Sequence, residues 1–310
     1  MSAPAPVPVE FIRGRRVKDR RFAREPKPEW LKVRAPGSPG YLRLKGVMRD
    51  LGLHTVCEEA HCPNIGECWH HGTATFMIMG AVCTRACGYC NVAHGTPLAL
   101  DPHEPAKLAN AVDQMGLEYV VVTSVDRDDL EDFGASAFAG TIRAIKARRP
   151  DCRVEVLIPD FQGNEASLRT VLDARPDVLN HNTETVPRLY RMARPGGKYP
   201  RALELLDRAR RYAPDVPTKT GLMVGLGEQW DEIVDVLHDL RRVDCQILTI
   251  GQYLRPSVAH LPMERYYTPD EFRALKRIAL DLGFGHVESG PLVRSSYHAH
   301  EQADGYASRT

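Results

Sequence analysis

Along most of the chain, short apolar runs alternate with longer segments whose apolar residues recur every three or four positions. FMIM, EYVVVTS, RVEVLIP, DVLNHN, TKTGLMVGL and QILTIGQYL have strand length and read as buried strands. Helical periodicity follows each of them. It is seen in EPAKLANAVDQMG, in ASAFAGTIRAIKARR with Phe138, Ile142 and Ile145 on one face, and in ASLRTVLDA. It continues through VPRLYRMAR, RALELLDRARRYA, DEIVDVLHDLRRV and PDEFRALKRIALDLG. Six strands, each followed by helix, predict an α/β fold with a parallel sheet and right-handed crossovers.

The pattern fails at the N-terminus. Residues 1–40 are rich in proline and arginine and lack apolar periodicity, which predicts an extended arm. Its basic run, 13–24, reads as a solvated tail, while Trp30 and Leu31 are suited to dock the arm on the body. Leu44, Val47, Met48 and Leu51 have helical spacing, with Gly52 as a stop.

Composition narrows the function classes. With 310 residues, 43 % of them apolar, the chain can bury the core of one large barrel or of two domains. A net charge of +1 gives no reason to expect a nucleic-acid partner. No apolar run approaches the ~20 residues that span a bilayer. The opening MSAPAPVPVEF lacks a secretory pattern, so a reducing, cytoplasmic setting is expected. Eight cysteines there point to metal ligation rather than disulfides.

Six of the eight cysteines fall between positions 57 and 90. Cys152 and Cys245 stand apart, beside strand-like runs, and read as core thiols. Cys83, Cys87 and Cys90 form C-x3-C-x2-C just after FMIM and Gly80. That places three thiols at the end of a strand where parallel α/β folds bind ligands. Thiolates suit iron–sulfur clusters or zinc. Zinc sites usually pair C-x2-C units and close with four ligands, whereas three thiolates leave one iron of a four-iron cubane open. Upstream, Cys57, Cys62 and Cys68 form C-x4-C-x5-C in a loop marked by Pro63, Asn64 and Gly66. His61, His70 and His71 lie beside it and read as surface or hydrogen-bonding histidines.

Polar residues collect where the other strands end, which is where barrels carry chemistry. TSVDRDDL offers Asp126, Arg127, Asp128 and Asp129; HNTETV offers Asn180, Asn182 and Glu184. MARPGGKYPRA adds Arg194 and Lys198, and GQYLRPS adds Gln252, Tyr253 and Arg255. In VGLGE, Gly225 and Gly227 either let backbone approach a ligand or merely shape a turn before a helix opening with Glu228.

The C-x3-C-x2-C loop, with Tyr89 before its last cysteine, resembles the fingerprint of the radical S-adenosylmethionine (SAM) superfamily. With C-x4-C-x5-C upstream and GPLVRSSYHA at 290–299, the chain resembles the lipoyl synthase family from about Trp30 to Gln302. VCEEAHCPNIGECW, TRACGYC, HNTETVPRLY and QYLRPS carry the same resemblance.

That resemblance implies a partial (β/α)6 TIM-like barrel at 76–285. The basic arm 1–40 and a cysteine-loop extension at 41–75 precede it, and a C-terminal segment at 286–310 follows. It implies two 4Fe-4S clusters and SAM as cofactors, with SAM cleaved to a 5′-deoxyadenosyl radical. Cys83, Cys87 and Cys90 would hold the SAM cluster. Cys57, Cys62 and Cys68 would hold an auxiliary cluster, with Ser296 as fourth ligand and Ser295 as the fallback. Ser124, Asp126, Asn182 and Glu184 would contact SAM, and Arg194 its carboxylate.

The implied reaction inserts sulfur at C6 and C8 of a protein-bound octanoyl-lysine, consuming the auxiliary cluster. Unactivated C–H bonds give a base or nucleophile nothing to act on, so a cofactor-borne radical is the sensible reagent. The implied partners are octanoylated carriers, namely the glycine-cleavage H protein and E2 subunits of 2-oxoacid dehydrogenases. An electron donor such as ferredoxin or flavodoxin is also implied, and a monomer would suit an accessible carrier site. A methylthiotransferase would share the first motif but place its other cysteines elsewhere. A two-cluster electron carrier would not need six βα units, and near-zero net charge counts against a zinc-structured nucleic-acid module.

Overall fold

The computed structural model describes residues 27–32, 42, 45–46, 48–49, 53–55, 64–65 and 74–307. Cys57, Cys62, Cys68, His61, His70, His71 and the basic run 13–24 lie outside the described residues. So do Leu44, Val47, Leu51 and Gly52 of the expected first helix, whose Met48 is helical and buried. Of the docking pair, Leu31 is buried and Trp30 is exposed.

One eight-stranded sheet organises the chain. Its strands are β1 (His54–Thr55), β2 (Thr75–Ile78), β5 (Tyr119–Ser124), β6 (Arg153–Leu157), β7 (Val178–Asn180), β8 (Thr218–Val224), β9 (Ile247–Gln252) and β10 (His286–Gly290), neighbours in that order. β1 pairs antiparallel with β2 and every other pairing is parallel. A second, two-stranded piece joins β3 (Val82–Cys83) to β4 (Ala93–His94). Helices α1 (Glu104–Gln114), α2 (Ala135–Arg148), α3 (Glu165–Asp173), α4 (Tyr190–Ala193), α5 (Tyr199–Tyr212), α6 (Trp230–Arg242) and α7 (Pro269–Asp281) fill the crossovers, and α8 (Ala299–Ala307) follows β10. This is the partial barrel the alternation and the resemblance imply, with β10 as a seventh parallel strand.

All six expected strands are present. VPRLYRMAR, expected as one helix, splits into a 3-10 turn at Pro187–Leu189 and the short α4. The apolar helix faces pack outside the sheet. One cluster joins β2, β5, β6 and β7 to α1, α2 and α3; a second joins β8, β9 and β10 to α5, α6 and α7. Cys152 (1 % exposed) sits in the first and Cys245 (0 %) in the second, as core thiols. Two capping boxes, Gln229 with Glu232 and Thr268 with Glu271, fix the starts of α6 and α7. The Gly225–Gly227 stretch is a turn. Both glycines have positive φ, and the Glu228 carboxylate accepts the Gly225 and Leu226 N–H groups.

Inside the barrel, a buried lysine is paired with a carboxylate. Lys219 Nζ lies 2.8 Å from Glu155 Oε1, and Glu155 also accepts from Tyr119 (2.7 Å) and Asn180 (3.1 Å). Burial pushes the Lys219 pKa down while Glu155 opposes it. Near the strand starts, α8 packs Ala299 on Tyr119 and Val121, and Asp304 pairs with Arg153. The segment between β10 and α8 passes close to β8 and β9 at two glycines, Gly221 and Gly251. A Cβ at Gly251 would lie 2.1 Å from the Val293 carbonyl oxygen, and one at Gly221 would lie 2.7 Å from Ser295 Oγ.

Candidate active site

The site begins where β2 ends. Met79 and Gly80 both adopt positive φ, which swings the chain off the strand, and the Glu104 carboxylate accepts the Met79 N–H at 2.7 Å. The cysteine loop that follows is held from several sides. Thr84 N–H donates to the Asp126 carbonyl after β5, and Gly88 N–H donates to Ala193 at the end of α4. Leu261 N–H reaches back to Gly88, and His260 Nε2 donates to the Cys90 carbonyl at 3.0 Å. Position 88 has no room for a side chain, since a Cβ would meet Leu261 Cγ at 2.8 Å and the Met192 carbonyl oxygen at 3.2 Å.

One cavity opens over this loop. Cys83, Cys87, Cys90, Tyr89, Ser124, Asp126, Asn182, Glu184 and Arg194 all line it. Val92, Val125, Leu157, Ile158 and Pro159 give it an apolar wall. These residues come from the ends of β2, β5, β6 and β7 and from the end of α4. The parallel pairing gathers them because every strand delivers its C-terminal end to the same rim.

Electrostatics in the cavity are strongly biased. Burial, reinforced by the Asp126 carboxylate, pushes the Cys83 thiol up to about 11. Burial pushes Cys87 up to about 12 and raises Cys90 as well. Coordination by a cationic metal centre reverses that bias, since a ligating thiol is deprotonated. Burial raises the Asp126 pKa while Arg85 and Arg194 oppose it. It also raises Glu184, against Arg194 and hydrogen bonds from Asn182 and Tyr89. Burial works against the Arg194 charge, but Tyr89, Tyr190, Glu184 and Asp126 outweigh it.

The residues present fit a 4Fe-4S cluster and SAM. Three thiols on one short loop are a soft donor set of the right kind. Ser124 Oγ is buried without a hydrogen bond. Two carboxylates and a guanidinium face the same space, complementary to a zwitterionic amino-acid group.

Other candidates go elsewhere. Arg127 and Asp129 pair with each other. Asp128 pairs with Arg85. Asn180 turns into the barrel, and Lys198 is exposed ahead of α5. Gln252 ties the Gly225 turn to Arg265, while Tyr253 and Arg255 brace the 258–261 loop. Ser296 is half-buried; its neighbour Ser295 donates to Oδ1 of Asn182, a residue of the cavity wall, at 2.9 Å. Asn64, between Cys62 and Cys68 in the sequence, donates to the Leu292 carbonyl at 2.6 Å.

Sequence reading passed over Arg85 and His181. Arg85 sits between two cysteines, and the acidic DRDD stretch was the signal that it had buried partners. His181 donates Nδ1–H to the Ile158 carbonyl at 2.8 Å, and its Nε2 is buried without a partner. Burial first, and then Arg194 and Arg85 against Asp160, hold its pKa down at about 3. The unfolded chain therefore takes up this proton first. The stability contribution is complete above about pH 6.5 and is lost as pH falls toward about 3. Urea unfolding of the metal-free protein should lose about 3 kcal/mol more between pH 7 and pH 4 in wild type than in His181→Asn. Equal slopes would remove His181 as the cause.

Comparison with known proteins follows the same lines. Residues 77–240 match the radical SAM superfamily, and residues 9–62 match the N-terminal domain of lipoyl synthase. The chain is 58 % identical over 297 residues to the lipoyl synthase of Rubrobacter xylanophilus, covering 96 % of this chain and 91 % of that one. It is 60 % identical over 279 residues to that of Koribacter versatilis, covering 90 % and 92 %. Among solved structures, the hydrogenase maturase HydG superposes with a TM-score of 0.55 at 14 % identity, over 76 % of this chain and 62 % of that one. Methylornithine synthase does so with a TM-score of 0.52 at 13 % identity, over 85 % and 82 %. These two share the fold alone. On the sequence matches, which run nearly end to end, the chain belongs to the lipoyl synthase family of radical SAM enzymes.

Proposed function

We propose that this enzyme inserts two sulfur atoms, at C6 and C8 of an octanoyl group amide-linked to a carrier-protein lysine, and draws them from an auxiliary 4Fe-4S cluster. Family membership supplies one 4Fe-4S cluster and SAM. Cys83, Cys87 and Cys90 are the assigned ligands of that cluster, and Cys57, Cys62, Cys68 and Ser296 those of the auxiliary one. The observation that carries the reading is the Asn64–Leu292 hydrogen bond. It ties Asn64, which lies between Cys62 and Cys68 in the sequence, to the segment bearing Ser296, and Ser295 ties that segment to Asn182 in the cavity wall. These two contacts support a second ligand set close to the first.

The chain's own part is binding, orientation and exclusion of water. Arg194 would take the carboxylate; its place in the cavity lining supports this, and its NH1 donates to the Asn182 carbonyl at 2.9 Å. Asp126 and Glu184 would take the ammonium, and Ser124 and Asn182 would make polar contacts around it; that all four line one cavity supports this reading. The apolar wall from Val125 to Pro159 keeps water from the reacting carbon. When bound, the reduced cluster and SAM supply the 5′-deoxyadenosyl radical that takes a hydrogen atom from an unactivated carbon.

The division proposed above follows: the arm at 1–40, the auxiliary-cluster extension at 41–75, the barrel at 76–285 and the RSSY segment at 286–310. β10 links the last two. The carriers are the glycine-cleavage H protein and the E2 subunits, a ferredoxin- or flavodoxin-like protein donates electrons, and the enzyme works as a monomer. Its compartment is a reducing cytoplasm; among the described residues no helix is long and apolar enough to cross a membrane.

The test is an anaerobic assay of reconstituted enzyme with SAM, dithionite and an octanoylated lysyl peptide, read by mass. The reduced product should gain the mass of two sulfur atoms. Cleavage of SAM with the peptide unchanged would refute the assignment.

A further inference from the structure

Arg85 lies inside the cysteine loop, yet its side chain is only 3 % exposed. Three carboxylates converge on it. Asp128 accepts a bidentate pair at 2.6 and 2.7 Å, Asp160 accepts at 2.7 Å, and Asp126 lies 3.4 Å away. Asp160 is held in turn by Arg201 at 3.0 Å. A planar guanidinium can hold one carboxylate bidentately while its other N–H groups reach a second, a fixed geometry that an ammonium lacks. The clamp therefore locks the cysteine loop to the loops after β5 and β6.

The backbone of the clamp converges on one sulfur. Arg85 N–H donates to Cys83 Sγ at 3.4 Å, and Asp126 N–H donates to the same atom at 3.2 Å. Thr84 closes the arrangement: its Oγ1 donates to the Asp126 carbonyl at 2.9 Å and accepts the Asp128 N–H at 3.1 Å. Both amide donors on Cys83 thus belong to residues of the Arg85 ion pairs.

Hydrogen bonds to cluster sulfurs and nearby charge set the potential of an iron–sulfur centre. Amide donors stabilise the reduced form, which carries one more negative charge. We propose that Arg85 is a positioning residue that raises the reduction potential of the cluster bound by Cys83, Cys87 and Cys90, by fixing two amide donors on Cys83. The proposal rests on those three cysteines holding the cluster, and is independent of what the enzyme does to its carrier.

The same loop contains a built-in control. Arg127 is equally buried and makes a bidentate pair with Asp129 at 2.7 and 2.8 Å, but that pair does not touch the cysteine loop. A merely structural role for Arg85 predicts that the two arginines behave alike.

The experiment compares R85K, R85M and R127M after anaerobic reconstitution, without SAM or carrier. It measures iron content, melting temperature and the midpoint potential by potentiometric EPR titration. R85M should hold its iron, with the reduced-to-oxidised ratio at fixed ambient potential down about tenfold or more, ~59 mV for one electron. R85K, which keeps the charge but not the fork, should fall between R85M and wild type. R127M should keep the wild-type potential whatever its melting temperature. Wild-type potentials in R85K and R85M at full iron content would overturn the proposal. So would an equal shift in R127M. If R85M loses its iron, R85K decides; loss of iron from both would assign Arg85 to cluster retention and overturn tuning.

Discussion

Replacing Cys83, Cys87 or Cys90 with alanine should reduce SAM cleavage to the background rate. Replacing Cys57, Cys62 or Cys68 should leave SAM cleavage within about tenfold of wild type, because separate sites behave nearly independently, yet abolish lipoyl formation. The reason is the division of ligand sets. The first three thiols line the cavity with Asp126, Glu184 and Arg194, whereas the other three serve only the sulfur donor in this reading. The measurements are 5′-deoxyadenosine and methionine released, lipoyl peptide by mass, and iron per chain. Each set of variants should retain about four irons rather than about eight. Equal loss of both activities from both sets would sink the division.

The two serines after Arg294 should also separate. Ser296 is the proposed fourth ligand of the auxiliary cluster. An alkoxide is harder than a thiolate and mismatched to iron–sulfur chemistry, so it should release an iron readily as sulfur leaves. S296A should therefore stop sulfur transfer, and S296C should hold its cluster but transfer sulfur poorly. Ser295 does something else: its hydroxyl donates to Asn182 Oδ1, at the wall of the cavity. Removing that hydrogen bond costs about 1 kcal/mol, or roughly fivefold. S295A should accordingly raise the KM for SAM by about that factor while still forming lipoyl product. Single-turnover lipoyl formation and iron content separate the cases. Wild-type turnover by S296A with a dead S295A would move the ligand by one residue, and activity in both would end the idea of a serine ligand.

The strands that carry the site were legible because they are buried along their whole length. Val120, Val121 and Val122, or Ile247, Leu248 and Ile250, are fully buried and leave continuous apolar runs. β10 left no such run: at the sheet edge, only Val287 of its five residues is buried. The helix expected over 186–194 was half right, since Pro187 and Tyr190 open separate short turns there. In the site, cysteine spacing is a local signal and reads directly. Arg85 is not local in that sense. Its meaning depends on Asp126, Asp128 and Asp160, which reach it through the fold and not through any periodicity. The choice between Ser295 and Ser296 is likewise a matter of which side of one turn faces Asn182. Sequence pattern does not encode that.

The Asn64–Leu292 contact bears on the order in which the molecule assembles. The residues it joins are 228 positions apart, against 43 for the Cys83–Asp126 contact. Closing the longer loop costs about 1.5 kcal/mol more in chain entropy, and contacts of high sequence separation form late. The Cys83 end of the first cysteine loop finds Asp126 within the first βα units, while Gly88 and Cys90 gain Ala193, His260 and Leu261 later. Asn64 gains its partner only when the segment beyond β10 has docked. Iron–sulfur loading should follow the same sequence in time. Refolding monitored by hydrogen exchange should protect the β2–β5 region before the amide of Val293, whose acceptor Gly290 ends the last strand.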